Sequence, residues 1–599
     1  MPLAQFQKLL KSTNQELRHL QQYSNRLTTL RFICFCVTVI FAAASYDTQS
    51  LLLEIGTIVT ITLFIILVHK HHAIKESLKF TTSRQYILKQ YIARFSNDWH
   101  TESTTDDSSF IKFNQPLAHD LDLFGNKSLY QYLCFAYTNA GKKHLAELLS
   151  NLNIPTSESI VLNQTAIQEL RTNPEFCLKF QTLGHLYTNA IHPNKSTKDN
   201  PLLNHVPHLH QLPSWQTYLL WLCTIMTPLS LILLTMNLIP PLITICLLFG
   251  QFTFSGIFFQ RNQFIFGQLH LLYKEISLYR ALIKEIEQFP CKSPLIKQLQ
   301  KNLLHPQAAS QKITKLSRIN ECINMRYNFI FYTIANTLFL WDFHCRSAFI
   351  NWQLNNGKEL TNWLNTIAKM EALLSLNVIS FCKQQTAFPK IITSPQPTLL
   401  AKQLYHPLLI ESMAVPNDIP LNLRTAIITG SNMSGKTTFL RTIGVNAILA
   451  YAGAPICGKS MSISPMRLFT SMRISDDINQ GISSFYAEIL RIKTMAEYTK
   501  ENQPMLSLID EIFKGTNSAD RIIGAVAAIE KLTLPWSILL VSTHDRELCR
   551  LSIDHPCEIS NYHFCEYFTN DKISFDYQIK DGPSQTTNAK YLLKMAGIS

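Results

Sequence analysis

Thr429-Gly430-Ser431-Asn432-Met433-Ser434-Gly435-Lys436-Thr437-Thr438 is the stretch that decides how this chain is to be read. It carries the spacing G-x-x-x-x-G-K-[ST], and its flanks supply the context that spacing needs. Ala426-Ile427-Ile428 reads as a buried strand, and Phe439-Leu440-Arg441 opens a helical pattern. A strand turning into a helix aims backbone amides and a helix N-terminus at phosphate oxygens. Gly430 and Gly435 allow torsions that other residues resist, Lys436 supplies a positive charge, and Thr437 offers a hydroxyl to magnesium. Residues 430–438 are therefore the candidate phosphate cradle.

Downstream motifs follow in the order a nucleotide hydrolase requires. Met505-Leu506-Ser507-Leu508-Ile509 is an apolar strand ending in Asp510 and Glu511, which suits magnesium coordination by Asp510 and water activation by Glu511. A second apolar run, Ile538 to Ser542, ends in Thr543-His544-Asp545 and would place His544 beside a γ-phosphate. Each motif alone is modest, since a strand-end acid pair or histidine is usually a solvated surface feature. Together they make Lys436, Glu511 and His544 the candidate catalytic residues, with Thr437 and Asp510 as metal ligands.

The rest of the chain is of a different kind. At 599 residues it is long enough for roughly three to five units. Its net charge of +13 favours an anionic partner, nucleic acid or the inner face of a membrane. The 14 cysteines are scattered, two of them (Cys34 and Cys36) within an apolar run, so neither a zinc ladder nor a disulfide framework is expected. His205, His208 and His210 read as a solvated loop rather than a metal site.

Residues 1–31 form a polar, basic, helical lead with Lys8, Lys11, Arg18, Arg26 and Arg31. Apolar runs follow from Phe32 to Ala44 and from Leu51 to Val68, separated by Tyr46-Asp47-Thr48-Gln49. A second pair spans Tyr218 to Met236 and Leu242 to Phe259, with no charged residue between Tyr218 and Phe259. We read two membrane hairpins and four spans, with basic flanks that keep both termini cytoplasmic, in a bacterial inner membrane. A cleaved signal peptide does not fit two tandem runs. Glu54 is the one acid within a span and reads as interfacial, which gives a transporter little to line a pathway. Between the hairpins and after them, Leu121–Leu149 (with Gly125 to Ser128 as start signal), Ile160–Leu183, Phe264–Leu304 and Ile319–Leu376 carry helical apolar spacing and read as scaffold, and Pro389 to Pro397 reads as a linker.

The C-terminal motifs resemble a known family. Thr429 to Thr438, Asp476-Asp477 with Gly481 to Phe485 and Glu488, Asp510-Glu511-Ile512 with Gly515 to Ser518 and Asp520, and Ser542-Thr543-His544 are similar to the ATPase domain of MutS mismatch-repair proteins. The likeness extends back to Tyr405-His406-Pro407-Leu408 and forward through Lys580 to Pro583 and a final helix from Asn588 to Ile598. It implies an ABC-type ATPase using ATP and Mg2+ as a homodimer, with Ser483 reaching the γ-phosphate in the partner subunit and the loop from Gly515 to Asp520 crossing the interface. More weakly, Asp120-Leu121, Gly141 to Leu145, Asn163-Gln164 and Glu169-Leu170 resemble the family's core and lever helices.

Departures from the family are as informative as the likeness. Residues 1–100 hold a hairpin where a mismatch-reading domain with its Phe-x-Glu wedge would stand, and the second hairpin interrupts the lever region. Ser431 and Ser434 replace the Pro and Gly common in the family's loop, and Ala414 to Asn417 lacks the aromatic often set against adenine. The expected architecture is multidomain. Residues 1–110 are the basic lead and first hairpin, and 111–400 a mainly α-helical, membrane-associated core and lever region with the second hairpin at about 218–259. Residues 401–599 are a C-terminal α/β ABC-type P-loop ATPase domain. The expected function is an ATP-hydrolysing, DNA-binding MutS-like protein tethered to membrane lipid and linked to DNA repair or recombination. The alternative is a membrane ATPase whose cycle moves its hairpins without using DNA.

Overall fold

The computed structural model describes residues 3–101, 110, 114–151, 153–188, 214–419, 424–473, 484–513, 518–569 and 572–584. The loop with His205, His208 and His210 lies outside them. Among the described residues no three or more of His, Cys, Asp and Glu are grouped so as to hold a metal ion between them.

The basic lead and the first apolar run form one continuous helix, α1 (Leu3–Thr48), which reverses at Gln49 (φ 47°) into the antiparallel α2 (Leu51–Ser96). The pair is tied near the polar end of the apolar stretch by His71, whose imidazole lies 2.6 Å from Arg31 Nη1 and 3.1 Å from Ser24 Oγ. Five helices follow: α3 (Gln115–Asp120), α4 (Leu129–Leu133), α5 (Asn139–Ser150), α6 (Ser157–Thr172) and α7 (Pro174–Thr188). The second apolar pair is α8 (Ser214–Thr235) and α9 (Pro241–Gln288), the latter running on well past its apolar half. Then come α10 (Pro294–Leu304), α11 (Ala309–Asn324), α12 (Phe329–Phe339), α13 (Trp341–Leu376) and α14 (Val378–Cys382).

Three described helical stretches are long and apolar enough to cross a membrane: those within α1 and α2, and Pro241–Gln260 of α9. The fourth expected span, Tyr218 to Met236, falls on α8, which runs from Ser214 to Thr235. The remaining helical stretches are more divided than their periodicity suggests. Leu121–Leu149 splits because Ser128 caps α4 by accepting from Gln131 N, and Thr138 caps α5 by accepting from Gly141 N. Ile160–Leu183 breaks at Asn173, where Pro174 starts α7. Phe264–Leu304 breaks at residues 289–293, before Pro294 starts α10. Ile319–Leu376 breaks at Asn328, which caps α12, and again at Leu340 (φ 48°).

The C-terminal part is α/β. Short strands β1 (Thr386–Ala387), β2 (Lys390–Ile391), β3 (Leu399–Leu404) and β4 (Asn417–Ile419) precede β5 (Thr425–Thr429), α15 (Lys436–Tyr451), β6 (Ile456–Cys457), β7 (Ser460–Ile463) and β8 (Arg467–Ser471). After them lie α16 (Ser484–Tyr498), β9 (Met505–Asp510), α17 (Ser518–Leu532), β10 (Ser537–Thr543), α18 (Leu551–Asp554), β11 (Ile559–Thr569) and β12 (Lys572–Asp581). The main sheet has the order β12-β11-β5-β10-β9-β8, parallel except for β12. Strand alternation feeds both faces: Ala426 and Ile428 of β5 join the large core shared with α15 and the helical body, and Ile427 joins a second core with α16 and α17. The expected linker from Pro389 contains β2, which pairs with β7 in a four-stranded sheet, because Lys390 and Ile391 adopt the extended backbone that a parallel partner can use.

Helix α13 is the member that holds this body together. Its Glu371, 1% exposed, accepts from Tyr137 N (2.9 Å), Thr138 N (3.2 Å) and the Thr138 hydroxyl, so a carboxylate sits at the N-terminus of α5. Gly141 is required there, since a Cβ at that position would overlap Glu371 Oε2.

Burial pushes the Glu371 carboxyl up to about 7, against the opposing pull of those hydrogen bonds. A carboxyl raised on folding contributes stability that is fully present below its ordinary value near 4.5 and is lost as the pH climbs to about 7. Glu371→Gln removes that dependence. The gap in melting temperature between native and Glu371→Gln protein is therefore expected to narrow from pH 4.5 to 7, and a constant gap would refute the assignment.

Candidate functional site

Register brings the sequence motifs together. Thr429 at the end of β5 pairs with Thr543 of β10, and Ser542 pairs with Asp510 of β9, so three strand ends present their chemistry at one edge of the sheet. The loop that leaves β5 needs glycine at two places. A Cβ on Gly430 would stand 2.9 Å from Ser434 Oγ and 3.1 Å from the Phe564 carbonyl, and Gly435 has φ 105°. Lys436 opens α15 almost fully buried and folds over the loop, donating to the carbonyls of Gly430 and Ser431 at 2.9 Å each. The Ser431 and Ser434 hydroxyls are buried within the loop with no hydrogen-bond partner. Orphaned donors beside a buried ammonium group suit an oxyanion such as a phosphate. Asn432, Met433 and Thr438 are exposed along the rim, Met433 at 85%.

The acids meet the loop directly. Thr437 Oγ1 donates to Asp510 Oδ2 at 2.7 Å, and the Ser542 hydroxyl donates to Asp510 Oδ1. A hydroxyl and a carboxylate in contact, both hard oxygen donors, are the donor set magnesium prefers. Glu511 sits just past β9 with φ 54°, and its Oε1 lies 3.0 Å from His544 Nε2, which lies 3.4 Å from Lys436 Nζ. Lys436, His544 and Glu511 are thus one contiguous group. The left-handed turn carrying Glu511 continues to Phe513 (φ 59°), and buried Glu488 on α16 holds it by accepting from Phe513 N. Ser483, residues 476–482, Gly515 to Asn517 and the stretch from Asn588 to Ile598 lie outside the described residues.

Sequence reasoning missed an aromatic. Tyr577 on β12, 44% exposed with φ 53°, lays its ring against the loop, 3.1 Å from where a Cβ on Gly435 would be. Asn417, noted in the sequence for lacking an aromatic neighbour, donates to Tyr577 O (2.9 Å) and accepts from Ile579 N (2.8 Å), so it positions the strand that bears the ring. No local pattern signals this, because the partners are brought together only by the hairpin of β11 and β12. The Tyr405 to Leu408 segment is bound to α15 through Asn446 Nδ2 and Tyr405 O (3.1 Å). Burial pushes His406 down to about 4, and its neutral Nδ1 accepts from Leu408 N.

A buried carboxylate ties the site to the helical body. Asp120, fully buried at the end of α3, accepts from Met472 N (3.1 Å) and Arg473 N (3.0 Å) past β8, and from Arg491 of α16 (2.8 Å). Asp122 pairs with Arg473 and with Arg441 of α15 (3.2 Å). Leu121 between them packs where a Cβ on Gly444 of α15 would collide, 2.8 Å away.

Residues 426–599 match the family model for MutS domain V. Over 214 residues the chain is 31% identical to a DNA mismatch repair protein MutS of Natronomonas pharaonis, a match covering 34% of this chain and 25% of that relative. The aligned region thus spans about a quarter of the length of the relative.

Removing one partner of a buried, multiply bonded charge is costly. Asp120→Asn is expected to lose about 2–4 kcal/mol of stability in denaturant titrations, and Asp122→Asn, 39% exposed, under about 1 kcal/mol. Equal losses would contradict the ranking by burial.

Proposed function

We propose that this chain, which belongs to the MutS family through its domain V, hydrolyses ATP in a membrane-tethered protein that acts on DNA. The observation that carries the catalytic part is the contact chain Lys436–His544–Glu511, set beside orphaned hydroxyls in the phosphate loop. Lys436 and the loop amides bind the β- and γ-phosphates. Thr437 and Asp510 would hold magnesium, which would supply positive charge against the phosphate oxygens. Glu511 accepts the proton of the attacking water, and His544 orients that carboxylate and reaches toward the terminal phosphate. Tyr577 offers the adenine ring a stacking surface.

The nucleotide domain acts as an ABC-type pair. In this reading the homodimer closes two sites, each completed by Ser483 of the other subunit. DNA as partner rests on the family and on the charge of +13. Tethering is supported by the apolar helices within α1, α2 and α9; in this reading α8 supplies the fourth crossing, and the basic flanks keep the ATPase domain and both chain ends in the cytoplasm of a bacterial cell. A second reading, in which the cycle moves the hairpins without DNA, is favoured by the continuity of α9 from its apolar half into the helical body.

Lys436→Ala is expected to weaken ATP binding in fluorescent-nucleotide titrations. Glu511→Gln should keep binding but slow phosphate release by about two orders of magnitude or more. Near-normal turnover by Glu511→Gln would remove the general base. Adding branched, mismatched or plain duplex DNA at low salt should raise or lower the ATPase rate of the native chain, and indifference to all three would favour the reading without DNA.

A further inference from the structure

Between Arg326 and Asp342 the chain carries fifteen residues, 327–341, with no charged side chain. They include α12, whose Phe329 (81%), Ile330 (70%) and Ile334 (54%) are turned outward. The periodicity of the sequence suggested ordinary scaffold, which would bury these residues.

The opposite face of α12 is packed on the second apolar pair. Tyr332 OH lies 3.3 Å from Ser255 Oγ, and its ring meets Phe259 edge-on. Thr224 of α8 bonds His344 at 2.8 Å and the Phe339 carbonyl at 3.3 Å, and Phe254 stacks on Phe343. Ser255 and Phe259 belong to the last turns of α9 before Arg261, so α12 lies beside the charged end of that apolar stretch and not at its middle. An eleven-residue helix extends about 16 Å, half of a hydrocarbon core, and cannot cross it. Tyr327 and Trp341 bracket it, the residue types that settle at a membrane–water boundary.

The neck of this excursion is sealed. Arg326 and Asp342, both nearly fully buried, form an ion pair at 3.2 Å, with the guanidinium held among the rings of Phe259, Phe266 and Tyr332. The two ends of an apolar loop are thereby pinned together on the polar side. Beside α12 lies an open groove of about 520 Å³, lined by Met325, Ile330, Ile334, Phe339 and Trp341 among others.

We propose that α12 is a membrane-contacting element in its own right, a helix lying in one leaflet beside the second hairpin, with lipid acyl chains covering Phe329, Ile330 and Ile334 and filling the groove. The occupant is lipid because the exposed apolar face continues that of α8 and α9, where Trp221, Ile225, Phe252 and Ile257 are also exposed. The proposal rests on the membrane tethering argued above.

The test is photolabelling of the full chain reconstituted in phosphatidylethanolamine and phosphatidylglycerol vesicles that contain a diazirine-bearing acyl chain, with labelled peptides mapped by mass spectrometry. Label on residues 327–341 within about threefold of that on 51–68, with none on 294–304, is the expected result. Label on 51–68 without label on 327–341 would overturn the assignment of α12 and leave the tether standing. Cross-links between the α12 helices of two chains, again without lipid label, would overturn it in favour of a second copy as occupant. Absence of label from both segments would overturn the tether itself, and α12 with it.

Discussion

The Asp120 carboxylate is the constraint on which the rest depends. A fully buried carboxylate is tolerated only when its lone pairs are used, and Asp120 meets that demand with two backbone amides beyond β8 and the Arg491 guanidinium. Those partners belong to the α/β domain and Asp120 belongs to the helical body, so separating the two while Asp120 stayed buried would leave its charge unpaired at a cost of several kcal/mol. Asp122 adds Arg441 on the helix that begins with Lys436, and Leu121 fills the notch left by Gly444. One turn of chain thus touches the phosphate-loop helix, the strand end beside it and the helix that begins at Ser484.

A second tie joins the same bodies from the far side. Asn163 donates to Ala452 O at the end of α15, and Gln164 donates to Pro389 O. Gly453, with φ 81°, leaves room for the Asn163 side chain. Glu169 in turn receives Lys292 N and Ser293 N, which fixes the start of α10. Both ends of α15 are therefore gripped by the helical body, one through charge and one through amide hydrogen bonds.

How much of this was legible depends on the range of the interaction. The phosphate loop was readable because its chemistry is local: glycines, a lysine and a threonine at fixed spacing between a strand and a helix. Asp510, Glu511 and His544 were readable because strand ends in a parallel sheet gather at one edge, so chain order and apolar runs imply proximity. Asp120, Leu121, Gly141, Asn163 and Gln164 stand out only through the resemblance or as parts of helical stretches, and nothing in their neighbourhoods predicts their partners, which lie hundreds of residues away. Tyr577 escaped for the same reason, since its place over Gly435 is set by a hairpin and by Asn417. Helix lengths were overread because apolar spacing continues through Asn173 and Leu340, where capping and a left-handed residue end the hydrogen-bond ladder.

Helix α13 gives the arrangement a mechanical sense. At 36 residues it extends about 54 Å. At its start, Asp342 and Phe343 lie against Arg326 and Phe254, among the apolar helices. Near its end, Glu371 and Ser375 hold the segment from Phe135 to Thr138 that begins α5, which packs along α13 and reaches α15. A continuous helix cannot shorten without breaking its backbone hydrogen bonds, so α13 holds its two ends at a fixed spacing. The fold thereby runs one continuous helix from the apolar helices to the segment that begins α5, and the charge and amide contacts at Asp120 and Asn163 join that helical body to the α/β domain.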